Sequence, residues 1–146
     1  MKHLLPLCVL MFFSSATFAL TCPSVDEINQ TIAANPSKSM RAGDILPDHA
    51  GFNMQWVYID STHVLTQASK FGSVLLPSER GSAISINCMY DGVDTFNRMF
   101  GFIILNEDRG PYTGKTGTWE YFHLPRGGAS QCYANDVNTC QFDRMQ

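Results

Sequence analysis

The sequence predicts an α+β fold, with an N-terminal helix packed on a curved antiparallel sheet of about six strands. Three observations carry that expectation. Residues 24–34 show a capped, amphipathic helical pattern. From residue 52 to 124, apolar and polar residues alternate in short runs at strand period. Cys22 stands just before the helix and Cys88 in the middle of the strand region, where a cross-link would tie helix to sheet.

In chain order, Lys2 and His3 precede an apolar run over 4–13 that only Pro6 and Cys8 interrupt. Ser-Ser-Ala-Thr-Phe-Ala follows, with small residues at Thr17 and Ala19. This pattern predicts a secretory signal peptide over 1–19, cleaved after Ala19. The run is too short to span a bilayer, which takes about 20 residues. Thr21 before Cys22 argues against lipidation. Residues 20–146 are then one disulfide-tied domain, large enough for a core and delivered to the periplasm or secreted. Without Lys2 the balance is nine basic against thirteen acidic residues. An acidic surface without clusters argues against nucleic acid, and no later segment is long and apolar enough to span a membrane.

Ser24 caps the helix, and Glu27 stands at capping-box spacing. Asp26 and Glu27 suit the positive end of the helix dipole. Val25, Ile28 and Ile32 form its apolar stripe, and Asn35-Pro36 ends it. Asn29-Gln30-Thr31 matches a glycosylation sequon, a pattern common by chance. Residues 37–51 read as loop with a short strand near Ile45. Residues 52–60 read as a strand with Phe52, Met54, Trp56 and Tyr58 on one aromatic face. Residues 63–68 and 71–76 read as two strands around Ser69-Lys70.

The central hairpin spans 82–105. Ile84, Ile86, Cys88 and Tyr90 share one face, and Phe96, Phe100, Phe102 and Ile104 share another. Directly opposed residues lie on the same side of a sheet. A loop of three or five residues, or a bulge, is therefore required. A five-residue loop around Asp91-Gly92 would pair Tyr90 with Phe96, Ile86 with Phe100 and Ile84 with Phe102. Residues 106–117 read as a polar loop, 118–124 as the last strand, and 125–146 as a loop-rich tail.

Cys22, Cys88, Cys132 and Cys140 remain after cleavage, and an even count in an exported chain reads as two disulfides. Cys22–Cys88 with Cys132–Cys140 is the preferred pairing, and Cys22–Cys140 with Cys88–Cys132 the alternative. The Cys-x-x-Cys spacing of a zinc site is missing.

No motif assigns a reaction. Gly114-Lys115-Thr116 resembles part of a phosphate-binding loop, but Arg109 stands where the first glycine belongs, and a strand rather than a helix follows. His49, His63 and His123 lack metal-binding spacing. Glu120 and His123 would face opposite sides of a strand. Gly-x-Ser-x-Gly is absent, and oxidation would consume the thiols. Glu107-Asp108 reads as solvated charge. No catalytic, cofactor or metal residue is therefore assigned. Trp56, Tyr58, Trp119 and Tyr121 are the binding candidates, on an aromatic face that could take a protein, a peptide or a glycan.

The start Cys22-Pro23-Ser24-Val25-Asp26-Glu27-Ile28, the central Cys88-Met89-Tyr90 and the closing Cys140-Gln141-Phe142 resemble a group of small exported proteins of Gram-negative bacteria. That group carries a domain of unknown function and starts at Cys-Pro after its signal. The resemblance implies an exported α+β domain and supplies no activity. The helix-on-sheet order suggests a cystatin-like arrangement. The function expected is a small exported binding or interaction protein without catalysis. The alternative is a small hydrolase in which His49 or His123 meets a carboxylate through folding.

Overall fold

The computed structural model describes residues 19–49, 52 and 55–146. The expected signal peptide, apart from Ala19, lies outside the described residues, as do Asn53 and Met54. One helix packs on one face of a seven-stranded antiparallel sheet, and a two-stranded sheet stands beside it. This is the expected α+β arrangement, with more strands than anticipated.

Helix α1 (Val25–Ala34) is built as its sequence dictates. Ser24 Oγ accepts from the Glu27 N–H at 3.2 Å, and Glu27 Oε2 accepts from the Ser24 N–H at 2.6 Å. Asn35 turns extended before Pro36 and ends the helix. Ile28 and Ile32 are buried. Asn29 is engaged at the sheet: its amide donates to Ala68 O at 2.9 Å and accepts from Ala68 N at 2.8 Å. The sequon side chain thus serves as a docking clamp.

The strands are β1 (Ile45–Leu46), β2 (Gln55–Tyr58), β3 (Leu65–Pro77), β4 (Ile86–Asp94), β5 (Met99–Asn106), β6 (Tyr112–Gly114), β7 (Trp119–Leu124), β8 (Gly127–Tyr133) and β9 (Phe142–Arg144), with a 3-10 turn over Val137–Cys140. The main sheet runs β1-β2-β5-β4-β3-β8-β7, and β6 pairs with β9. A row of opposed residues crosses it: Val57, Ile104, Cys88, Val74, Cys132 and Trp119. The first five are at most 3% exposed. This inner face carries the helix, and both cross-links leave it, Cys22–Cys88 and Cys132–Cys140. The preferred pairing is the one observed. Tyr90, also buried here, donates its hydroxyl to Pro23 O at 2.6 Å. Phe52, Tyr112, Trp119 and Phe142 form an aromatic cluster, with ring centroids 5.7–6.4 Å apart.

Several sequence expectations are corrected. Where two strands were expected over 63–68 and 71–76, one continuous strand runs over Leu65–Pro77. Its register slips at three places, with Thr66, Ser69 and Gly72 as extra residues. The hydroxyls of Thr66 and Ser69 donate across to Val93 O and Asp91 O. Each bulge resets the alternation, so Leu65, Ala68, Phe71 and Val74 all reach the core.

The central hairpin has the odd loop that parity demands, but further along the chain. Tyr90 opposes Phe102 and Cys88 opposes Ile104, so the expected pairs with Phe96 and Phe100 do not form. Asp91-Gly92 is inside the strand. The turn is Thr95-Phe96-Asn97, because the Asp94 N–H donates to Arg98 O and Asn97 takes the left-handed conformation at φ 59°. Asp94 Oδ1 accepts from the N–H groups of Phe96 and Arg98. A turn with this internal cap outcompetes Asp-Gly. Phe96 is consequently 76% exposed at the tip instead of buried. Gly92 serves close packing: a Cβ there would stand 2.4 Å from Leu65 Cδ1 and 2.9 Å from Phe102 Cε1.

On β2 the buried residues are Gln55 and Val57, so Trp56 and Tyr58 point to the other side of the sheet. The tail read as loop supplies β8, β9 and the 3-10 turn, and the polar loop read after Leu105 contains β6.

Candidate functional site

Two places gather side chains that could serve function. The first is a pocket of about 320 Å³ between the start of α1 and the segment after β1, lined by Pro23, Glu27, Gln30, Leu46, Pro47 and His49 among others. The capping box turns Glu27 back toward the helix start. The His49–Phe52 backbone bridge holds the histidine over it. His49 Nδ1 lies 2.8 Å from Glu27 Oε1, and its Nε2 lies 3.3 Å from Thr21 Oγ1. Partial burial raises the Glu27 carboxyl, but the Ser24 N–H and hydroxyl and the His49 ring outweigh it. They hold the group below the ordinary carboxylate range.

Hydroxyl, imidazole and carboxylate in line have the form of a nucleophile, a base and an orienting group. Two features weigh against turnover here. Thr21 is not among the residues lining the pocket, and both ring nitrogens of His49 are engaged. As it stands, the line ties the segment before Cys22 and the segment after β1 to the helix start. No sequence spacing foretold it, since Thr21, Glu27 and His49 lie on three separate segments.

The second place is the outer face of the main sheet, opposite α1. Among the described residues no helix covers it. One row of opposed residues runs Ile45, Trp56, Leu105, Asn87, Leu75, Gln131, Glu120. The next runs Tyr58, Ile103, Met89, Ser73, Tyr133. Ile45, Tyr58, Met99 and Tyr133 are 63–64% exposed. Trp56, Leu105, Ile103, Met89 and Leu75 are half-buried by one another. Ser73 and Gln131 are joined by a hydrogen bond of 3.3 Å. Ser73, Gln131 and Asn87 lie side by side as polar residues, Glu120 ends one row on the edge strand, and the other residues of the two rows are apolar or aromatic.

The four aromatic candidates do not form one site. Trp56 and Tyr58 belong to the outer face. Trp119 points inward, edge-on to Phe142, with its indole N–H donating to Thr116 O at 2.6 Å. Tyr121, on the edge strand β7, donates its hydroxyl to Glu79. Five strand spacings of about 4.8 Å separate β2 from β7, roughly 24 Å across the sheet. Trp56 and Tyr58 instead gain Ile103, Met89 and Tyr133, from strands that only the register brings together.

The remaining chemistry is structural. His63 stacks on Phe100 with centroids 4.5 Å apart and lies 3.2 Å from Asp94. Asp94 also accepts from Arg98 Nε at 2.9 Å. Burial pushes its carboxyl up, but the Arg98, His63 and Phe96 donors overwhelm that and hold it well below the usual carboxylate range. His123 is exposed, 3.9 Å from Glu79. Asp108 pairs with Arg144 at 3.1 Å and Lys115 with Asp143 at 3.5 Å. Gly114 lies under the Trp119 ring in β6, not in a phosphate-binding turn. Among the described residues, no three His, Cys, Asp or Glu groups converge to hold a metal ion. None of the described helices is long and apolar enough to cross a membrane.

No protein family, curated protein or solved structure shows significant similarity to the chain.

Proposed function

We propose that the chain is an exported binding protein, without catalysis, that docks a flat apolar protein surface on the outer face of its sheet. The observation that carries this reading is the one-sided covering of the sheet. Trp56, Tyr58, Ile103 and Met89 make an apolar surface, with Tyr133 beyond Ser73, that no described helix covers. Large exposed apolar patches mark interaction sites. A peptide or glycan would call for a groove with converging polar groups, whereas this surface is broad and nearly uncharged. Export, with a signal over 1–19 and a mature domain over 20–146, belongs to the same proposal. The two disulfides support it, and so does the resemblance to small exported Gram-negative proteins. A cystatin-like wrap is the finer description of the fold we favour, supported by a single helix lying on one face of an antiparallel sheet.

The test uses the hydrophobic dye 1-anilinonaphthalene-8-sulfonate, which brightens on apolar surfaces. The folded chain should bind it, and Tyr58→Glu should reduce the signal without altering circular dichroism. A folded chain that leaves the dye dark, or a signal indifferent to Tyr58→Glu, would count against the outer face.

A second reading rests on the Thr21–His49–Glu27 line beside its pocket. It makes the chain a small hydrolase in which His49, oriented by Glu27, takes a proton from Thr21 or from water. Hydrolysis of p-nitrophenyl esters lost in His49→Gln would establish it. Equal background rates in both proteins would dismiss it.

A further inference from the structure

We infer that the bond between Ala19 and Leu20 is a processing site open only in the unfolded chain, so that removal of the leader must precede closure of the Cys22–Cys88 bridge. The inference rests on the reading of residues 1–19 as an export leader. Four consecutive residues after the bond are each fastened into the domain. The Leu20 N–H donates to Phe142 O at 2.8 Å, and Leu20 O accepts from the Phe142 N–H at 3.0 Å. The Leu20 side chain packs against the core. Thr21 Oγ1 lies 3.3 Å from His49 Nε2. Cys22 is 1% exposed and joined to Cys88. Pro23 O accepts from the Tyr90 hydroxyl at 2.6 Å.

Cutting the bond adds water across the amide. The water oxygen goes to the Ala19 carbonyl carbon, the C–N bond breaks, and the Leu20 nitrogen leaves as an ammonium. A proton donor of the peptidase must reach that leaving nitrogen. In the folded domain the same nitrogen donates to β9 through Phe142. An extended peptide is recognised through its own backbone N–H and C=O groups, with alternate side chains in pockets. At Leu20 both backbone groups and the side chain are already committed to the fold.

Fraying of Leu20 alone does not free the bond while the bridge is closed. Leu20 stands two residues from Cys22, and two residues of extended chain reach at most about 7 Å. Cys22 is buried and covalently held, so Leu20 stays within that distance of the domain interior. A peptidase cleft that encloses several residues on each side of the bond then collides with the domain. The mature fold, in contrast, loses nothing by the cut. Among the described residues, Leu20 is the first with a hydrogen bond into the fold, and as an ammonium its nitrogen still has a proton for Phe142 O. The fold begins where the cut is placed, with no spacer between them. A chain cut first folds free, whereas a chain that folds and cross-links first keeps its leader and stays attached to the membrane.

The experiment treats the full chain, leader included, with purified bacterial signal peptidase in detergent micelles and follows by mass the product released after Ala19. The chain reduced and diluted from urea into the assay should be cut. The oxidised, folded chain should be cut about 100-fold more slowly, since cleavage follows the population of the opened form. A variant with a flexible spacer of about six residues between Ala19 and Leu20 carries the bond roughly 20 Å from the domain and should be cut while folded and oxidised. Circular dichroism and a count of free thiols check that the wild type and the spacer variant are folded and bridged. Equal rates for the folded and the unfolded wild type would overturn the inference. So would a folded spacer variant as resistant as the folded wild type, because something other than the docked Leu20 segment would then hide the bond. No cut after Ala19 in any of the three would overturn the leader itself.

Discussion

The two faces of the main sheet are made by the same strands and have opposite characters. The inner face is tied at two points by disulfides, roofed by α1 and filled by Tyr90, Phe71 and Phe102. The outer face also carries large apolar side chains and has no helix over it among the described residues. One pleat separates Cys88 from Met89 and Val57 from Tyr58. The difference shows that burial here is set by what the chain brings back over the sheet, through Cys22, Asn29 and Phe142, and not by strand hydrophobicity. Substitutions should therefore be costly on one side and nearly silent on the other.

The largest effect should follow loss of the long tie. Cys22–Cys88 spans 66 residues and Cys132–Cys140 only 8. Loop-closure entropy then predicts losses of about 4 kcal/mol for Cys22→Ser with Cys88→Ser, and about 2.5 kcal/mol for Cys132→Ser with Cys140→Ser. Guanidinium unfolding of the two double variants measures both, and an inverted order would break the argument.

Next, Gly92→Ala forces a methyl group against Leu65 and Phe102 on the inner side. It should cost about 1–3 kcal/mol by overpacking. A midpoint equal to that of the wild type would mean the hairpin yields there.

Asp94 sharpens the comparison through pH. Its carboxyl is held below the ordinary value in the folded protein, so its contribution is full above about pH 4, the unfolded value. It is lost progressively as the pH falls from there toward the folded value. Asp94→Asn keeps the shape, lowers stability at neutral pH and should flatten the acid limb of a stability–pH curve. An acid limb as steep as that of the wild type would assign acid sensitivity elsewhere, with Glu27 the next candidate.

The smallest effect belongs to the outer face. Met99→Lys and Ile45→Lys should change stability by no more than about 0.5 kcal/mol in dilute solution, as at other exposed sites. A larger loss for the single chain would show that this surface helps to hold the fold.

Legibility from sequence follows the same division. The helix was fully readable, because Ser24, Glu27 and Pro36 act within a few residues of their targets. The disulfide pairing observed is the one preferred, but the sequence left three pairings open, because which cysteines meet is set by the fold and not by their spacing. The long strand β3 was not readable. Its inward residues Leu65, Ala68, Phe71 and Val74 recur every three positions, a period that belongs to neither helix nor flat strand and arises only from repeated bulges. The hairpin was displaced because Asp-Gly is a turn signal only where the chain is free to turn. Here Leu65 and Phe102 close over Gly92 and keep the strand running. The aromatic candidates were judged strand by strand. Trp56 and Tyr58 were correctly joined, but Phe52, expected on the same face, is buried against Tyr112 and Phe142, and Tyr133 could be added only once β8 was known to lie on the far side of β4.

The disulfide pattern also bears on how the chain acquires its cross-links. Among the four cysteines that follow residue 19, each pairs with the next to be synthesised: the first with the second, the third with the fourth. On the proposed export, a chain threading through a membrane from its N-terminus meets an oxidant in the order its bridges require. An oxidase that joins consecutive thiols as they emerge makes the native set directly. Maturation should proceed at the same yield in cells lacking a disulfide isomerase. Accumulation of scrambled forms in such cells would show that cysteines 88 and 132 are exposed together before the first bridge closes.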